Sequence, residues 1–169
     1  SSCMDFRRTM EIIDNFLNVT DFNNIKDKVI NWHFSWFYQQ NVSAEDEENE
    51  PRSLYFTHMF YDKNTINSDH FYVLEPVLKK INSKALIRVK GNCYPRSDKI
   101  VYHKPHTDYK YEHKGLILSL NDCNGYTVIG DKKIESKANR ALFFNPSVEH
   151  NSTNCTDEKA RFNINFNYF

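Results

Sequence analysis

Two histidines and an aspartate are the residues best suited to hold a transition metal in this chain. His106 and Asp108 stand two apart, so in extended backbone both side chains project to one side and can reach a single ion. The pair alone carries little weight, because seven His and 12 Asp in 169 residues generate such a pair by chance in about every second chain. Order adds the weight. His150 follows 42 residues after Asp108, just past Phe143-Phe144-Asn145-Pro146, and Arg161 opens the final segment eleven residues later. Two His and one carboxylate form a facial triad that leaves adjacent positions open on ferrous iron. Two of these suit the keto oxygen and C1 carboxylate of a 2-oxo acid, and the third suits O2. The far carboxylate of such a cosubstrate needs a cation at depth, and Arg offers a planar, always-charged fork that Lys lacks.

The rest of the composition narrows the field. Lys plus Arg and Asp plus Glu both total 22, which removes the simplest argument for a nucleic-acid or membrane-surface binder. Only four glycines occur, and they form no G-x-G-x-x-G; Gly125 and Gly130 have P-loop spacing, but the Lys falls one place late. Cys3, Cys93, Cys123 and Cys155 offer no C-x-x-C or paired zinc spacing. No apolar run reaches the length of a bilayer span, and the opening residues lack a signal-peptide core. A cytoplasmic protein with reduced cysteines is expected. The length suits one domain, 1–169, large enough for its own core.

The elements that must position these residues are mostly strands. Met10–Asp14 is a short apolar run, and Phe22, Ile25, Val29 and Ile30 repeat at helical spacing after a cap at Thr20 or Asp21. Residues 32–39 read as extended, with Trp32, Phe34, Trp36 and Tyr38 on one face, and 54–61 as a strand. A second helix carries Phe71, Leu74, Leu78 and Ile81, its regular part starting near Pro76. Segments 85–94, 100–104, 115–120, 126–130, 133–136, 140–145 and 160–168 are short and rich in aromatic or β-branched residues. Turns fall at Asn124-Gly125 and Asp131-Lys132. This predicts an α+β, mainly β protein with a sandwich or jelly-roll core and N-terminal helices. In the last strand Arg161, Asn163, Asn165 and Asn167 share one face, which would be either an outer surface or the lining of a barrel mouth.

These residues resemble the 2-oxoglutarate- and Fe(II)-dependent dioxygenases with a double-stranded β-helix core. The resemblance rests on His106-x-Asp108, the distal His150 and Arg161. Ile117-Leu-Ser-Leu-Asn-Asp, Asn124-Gly-Tyr-Thr, Asn139-Arg-Ala-Leu-Phe-Phe-Asn-Pro and the opening Ile12-Ile-Asp-Asn-Phe-Leu17 are similar to the prolyl-hydroxylase-like branch, including small phage and marine-bacterial versions. It implies Fe(II) held by His106, Asp108 and His150, with O2 and 2-oxoglutarate as cosubstrates. 2-Oxoglutarate would be oxidised to succinate and CO2 as a substrate is hydroxylated. A prolyl or other amino-acid side chain, or a small metabolite, is the implied substrate. Arg161 would hold the distal carboxylate, with Tyr94 beside it. Asn92-Cys-Tyr94 and Asn163 are similar to cosubstrate contacts in the AlkB-like branch, although the stretch from Tyr94 to His106 is longer here. The carboxylate at Asp108 argues for hydroxylation, since related halogenases carry a small residue there.

Two other readings stand beside this one. A nucleic-acid demethylase fits Asn92 and Tyr94 but is opposed by the zero net charge; a non-catalytic jelly-roll module would keep the motif without turnover. His103 is expected at the surface or behind the ligands, His113 in an exposed loop, and Trp32 and Trp36 in the core. The acidic stretch within 41–52 is expected to be either a mobile flap over the site or a solvated connector.

Overall fold

The computed structural model describes residues 10–42 and 50–169. The expected flap therefore lies largely outside the described residues. Among the described residues eleven strands and two helices follow one another: β1 (Glu11–Ile13), α1 (Val19–Val29), β2 (Phe37–Gln39), β3 (Tyr55–Asp62), β4 (Thr65–Ile66), α2 (Glu75–Ile81), β5 (Leu86–Pro95), β6 (Lys114–Ser119), β7 (Tyr126–Ile129), β8 (Lys132–Glu135), β9 (Ala141–Phe144), β10 (His150–Ser152) and β11 (Ala160–Tyr168). A 3-10 turn over Phe71–Leu74 leads into α2, which carries its proline in the first turn, where no backbone donor is lost.

Two sheets face each other. The major sheet runs β1-β9-β6-β11-β5-β3-β2, with β4 paired to β3. The minor sheet runs β10-β7-β8, and single bridges Tyr102–Thr153 and His106–His150 add the 101–106 segment to its edge. Every strand pairing among the described residues is antiparallel.

The core lies on the outer face of the major sheet, under the helices. Phe22, Ile25 and Val29 of α1 and Val77 of α2 pack with Phe60, Val89, Leu116, Leu118, Ile164 and Phe166. Burying each of these side chains contributes about 1.5–3 kcal/mol. A smaller cluster of Ile117, Ile134, Leu142 and Phe144 lies between the sheets. The alternation in β11 accounts for its central place. Ile164 and Phe166 feed the helix-side core, while Arg161, Asn163, Asn165 and Asn167 are buried on the opposite face. The polar face of the last strand is thus an interior lining and not an outer surface.

Several expectations are corrected. Residues 32–34 form a turn, with Trp32 93% exposed and Phe34 buried, so the aromatic stretch does not share one face. Asn18, not Thr20 or Asp21, caps α1, its side chain accepting from the Asp21 amide. The segment 100–104 has no ladder of its own, because Tyr102 makes only a single bridge. The turn of the β7–β8 hairpin is Gly130-Asp131, where Gly130 takes φ +62°. His150–Ser152, unforeseen as a strand, is β10. Among the described residues no helix is long and apolar enough to cross a membrane.

Candidate functional site

His106, Asp108 and His150 converge at one end of the two-sheet core. Their ligand atoms all lie within 4.8 Å of one another. Reciprocal backbone hydrogen bonds of 2.9 Å between His106 and His150 fix the two histidines side by side, with ring centroids 4.7 Å apart. The His150 Nδ1–H donates to the Val148 carbonyl at 2.9 Å, which turns Nε2 toward Asp108. Asp108 Oδ1 lies 3.2 Å from His150 Nε2 and 3.4 Å from His106 Nε2.

The other oxygen of Asp108 is held from behind. Asn165 and Asn167 both donate their amide N–H to Oδ2, at 3.0 and 2.9 Å. These two asparagines lie on the polar face of β11, and their contact with Asp108 was not foreseen. Burial opposes ionisation of Asp108, but the two imidazoles and the Arg88 charge outweigh it and hold the carboxyl well below the usual carboxylate range. Burial likewise opposes charging of His150, yet the Asp108 carboxylate raises it above the ordinary imidazole value.

Behind the triad lies Arg161, 1% exposed. Its Nη1 donates to the Tyr126 and Thr153 carbonyls at 3.0 and 2.9 Å, and Nη2 to Thr127 Oγ1 at 2.9 Å. Three of the five guanidinium N–H groups are thereby used. Nε–H has no partner, so Nε and the second Nη2 hydrogen form a side-on fork. No carboxylate of the described residues lies within ion-pair distance of this cation, and burial alone pulls its pKa down. The Tyr94 ring lies beneath it, 5.5 Å from the guanidinium carbon to the ring centroid.

A narrow cleft joins the two ends. Tyr94, Asn92, Asn163, Thr127, Ser152, His106, Asp108 and His150 line it, together with Tyr55, Lys90 and Asn165. Asn92 Nδ2 donates to Asn163 Oδ1 at 2.9 Å across the β5–β11 pair, leaving Asn92 Oδ1 buried without a partner. All seven residues singled out from the sequence therefore lie in or directly behind one cleft. Lys90 and Tyr55 were overlooked. Lys90 was legible: it shares the β5 face with Asn92 and Tyr94 by the period-two rule. His103 is buried against Tyr94, the rings stacked at 5.5 Å, and is not at the surface. His113 is also buried, its Nε2 accepting from Asn167 at 3.1 Å, which corrects the exposed-loop reading.

No protein-family model matches the chain, and comparison with curated proteins gives no match. Solved structures do match. A prolyl hydroxylase from Trichoplax adhaerens, solved with a hypoxia inducible factor peptide, aligns with a TM-score of 0.68 at 15% identity over 95% of this chain and 83% of that one. The fold is that of the 2-oxoglutarate- and Fe(II)-dependent oxygenases. A member of that family from Burkholderia pseudomallei aligns with a TM-score of 0.68 at 8% identity, covering 97% and 85% of the two chains. HygX from Streptomyces hygroscopicus, with nickel and 2-oxoglutarate bound, gives 0.62 at 11% identity over 96% and 83%. This double-stranded β-helix is the jelly-roll core expected from the strand pattern.

Proposed function

We propose that the chain, as one domain over residues 1–169, is an Fe(II)- and 2-oxoglutarate-dependent dioxygenase that hydroxylates a prolyl or other amino-acid side chain or a small molecule. The observation that carries this reading is the convergence of His106, Asp108 and His150 on one point inside this fold. Two imidazole nitrogens and a carboxylate oxygen suit ferrous iron. Their crowding without a proton-rich partner between them suits a divalent cation.

The remaining residues fit the cosubstrate. Arg161 is a buried cation with an open two-donor fork and no protein carboxylate beside it, which matches a distal carboxylate. Tyr94 supports the guanidinium from below. Asn92 and Asn163 place amide groups between the Arg161 end and the metal end of the cleft. Bound iron, 2-oxoglutarate and O2 together supply oxidising power for C–H hydroxylation, with succinate and CO2 as coproducts. The protein's own work is positioning. Asn165 and Asn167 fix the Asp108 carboxylate so that Oδ1 faces the metal position. The Val148 carbonyl fixes the His150 tautomer. The paired sheets bury the Asp108 and His150 side chains.

The test is succinate formation from 2-oxoglutarate with Fe(II) and O2, with peptides, amino acids and methylated oligonucleotides as candidate substrates. Iron-dependent succinate that is lost in His106→Ala supports the reading. Absence of any iron-dependent succinate across the panel overturns it.

A further inference from the structure

Lys90 is a charged residue of the cleft that the cosubstrate reading leaves without a task. It lies in the middle of β5, a costly place for an ammonium. Its Nζ reaches only the Tyr55 hydroxyl, at 3.5 Å, and lies over the Tyr55 ring, 5.8 Å from its centroid. Asp108 and Asp62 act on it through space, but no carboxylate of the described residues is within ion-pair distance.

The strand register places it relative to the other charges. On the β5–β11 ladder Arg161 pairs with Tyr94, Asn163 with Asn92, Asn165 with Lys90, and Asn167 with Arg88. Arg161 marks one end of the cleft. Asn165 and Asn167 mark the Asp108 end, since both bond its carboxylate. Lys90 and Arg88 therefore sit at the metal end, Lys90 four residues or about 13 Å along the strand from the Arg161 position and Arg88 six residues or about 20 Å. A dicarboxylate anchored at Arg161 and running to the metal has its charges answered by Arg161 and the metal, with Asp108 completing neutrality. Lys90 and Arg88 remain in excess. Arg88 is within ion-pair distance of a carboxylate that the protein supplies, its Nη2 lying 4.0 Å from Asp108 Oδ2 and its guanidinium against Tyr109. Lys90 is not.

We infer that Lys90 recognises a carboxylate on the substrate, so that the hydroxylated molecule is acidic close to the reacting carbon. This rests on the dioxygenase reading. Tyr55 steadies the ammonium, and a carboxylate entering the cleft supplies the missing counter-charge. A free acid and an acidic side chain of a peptide present the same chemistry there.

The experiment loads the protein with Co(II) and 2-oxoglutarate under nitrogen. It measures paramagnetic broadening of probe proton signals. The probes are free N-acetyl-aspartate and N-acetyl-glutamate, capped tripeptides with a central Asp or Glu, and the Asn, Gln and Lys counterparts of each. Acidic probes should broaden and their neutral and cationic counterparts should not. Free acids and peptides compared side by side identify the source of the carboxylate. Lys90→Met should weaken acid binding at least about tenfold, as expected for a lost charge pair, and Lys90→Arg should recover part of it. Equal broadening by the amides, no broadening by any acid, or undiminished acid binding in Lys90→Met overturns the inference. So does a tenfold loss of 2-oxoglutarate affinity in Lys90→Met, which would make Lys90 a cosubstrate ligand. A separate titration of 2-oxoglutarate into the Co(II) protein keeps the two readings apart. Failure there removes the dioxygenase reading and this inference together, whereas intact cosubstrate binding without acid preference removes only the inference.

Discussion

Asn165 and Asn167 set the orientation of Asp108 by saturating one of its two oxygens, which leaves the other to the histidines. Outer contacts of this kind commonly cost 10–100-fold in metal affinity when removed. Asn167→Ala is expected to weaken Co(II) or Fe(II) binding by about that factor, measured by equilibrium titration, without changing the ligands themselves. Arg161 holds the Tyr126 and Thr153 carbonyls, keeps Nε without a protein partner, and on the proposed reading has a second task as cosubstrate anchor. Arg161→Ala should lower 2-oxoglutarate affinity by about 2–3 orders of magnitude, because truncation leaves a buried carboxylate unpaired. Arg161→Lys keeps the charge but loses the fork, and calorimetry should place it between wild type and Ala. Lys90 makes an opposite prediction for stability. Burial lowers its pKa from 10.5 to about 8. Between those values the folded chain binds fewer protons than the unfolded chain, so this group adds stability as pH rises through that window. Below the window its cost is fully present. Lys90→Met should therefore stabilise the protein at pH 7 by about 1–2 kcal/mol, discounted for water in the cleft, and by less at pH 10. Denaturant melts at the two pH values check this.

The elements show why part of the site was legible and part was not. In β11 the strict alternation of polar and apolar residues announced a strand with two distinct faces, and both faces are buried as a central strand requires. Local alternation does not say which face looks outward. That is decided by the second sheet, so the polar face could be read as surface or lining. The same gap explains His113. Lys110, Tyr111, Glu112 and Lys114 around it read as a loop, and it is buried by Asn167 approaching from β11 together with the Tyr109 and Tyr111 rings. Short β10 was missed because three residues of pairing leave no periodic trace. The 32–34 stretch failed for the converse reason: its aromatic residues suit a strand by propensity, yet the chain turns there after α1. Gly125 is legible only in three dimensions. A Cβ there would meet Arg161 Cδ at 2.8 Å and press on the Asn154 backbone. Gly125→Ala should destabilise the fold by about 1–3 kcal/mol and weaken 2-oxoglutarate binding by displacing Arg161. Thermal denaturation and cosubstrate titration of one variant read the two effects separately.

At the scale of the whole molecule, the helices cover one face of the major sheet and the minor sheet covers the other, so the cleft is the polar seam between two sheets. That architecture keeps charged groups in a water-poor place, where each is worth more than at the surface. The global charge is balanced, so long-range attraction to a polyanion is weak. Fluorescence anisotropy with a labelled duplex at physiological salt should show no saturable binding. The central claim is that a metal at His106, Asp108 and His150 and the Arg161 fork together bind 2-oxoglutarate. The most direct test is anaerobic titration of the Fe(II)-loaded protein with 2-oxoglutarate, followed by the visible charge-transfer absorption of a metal-bound 2-oxo acid. The account predicts a saturable band in the wild type, no band in His150→Ala, and a band in Arg161→Ala only at much higher 2-oxoglutarate. A wild type without the band, or a His150→Ala variant that develops it unchanged, would contradict the account.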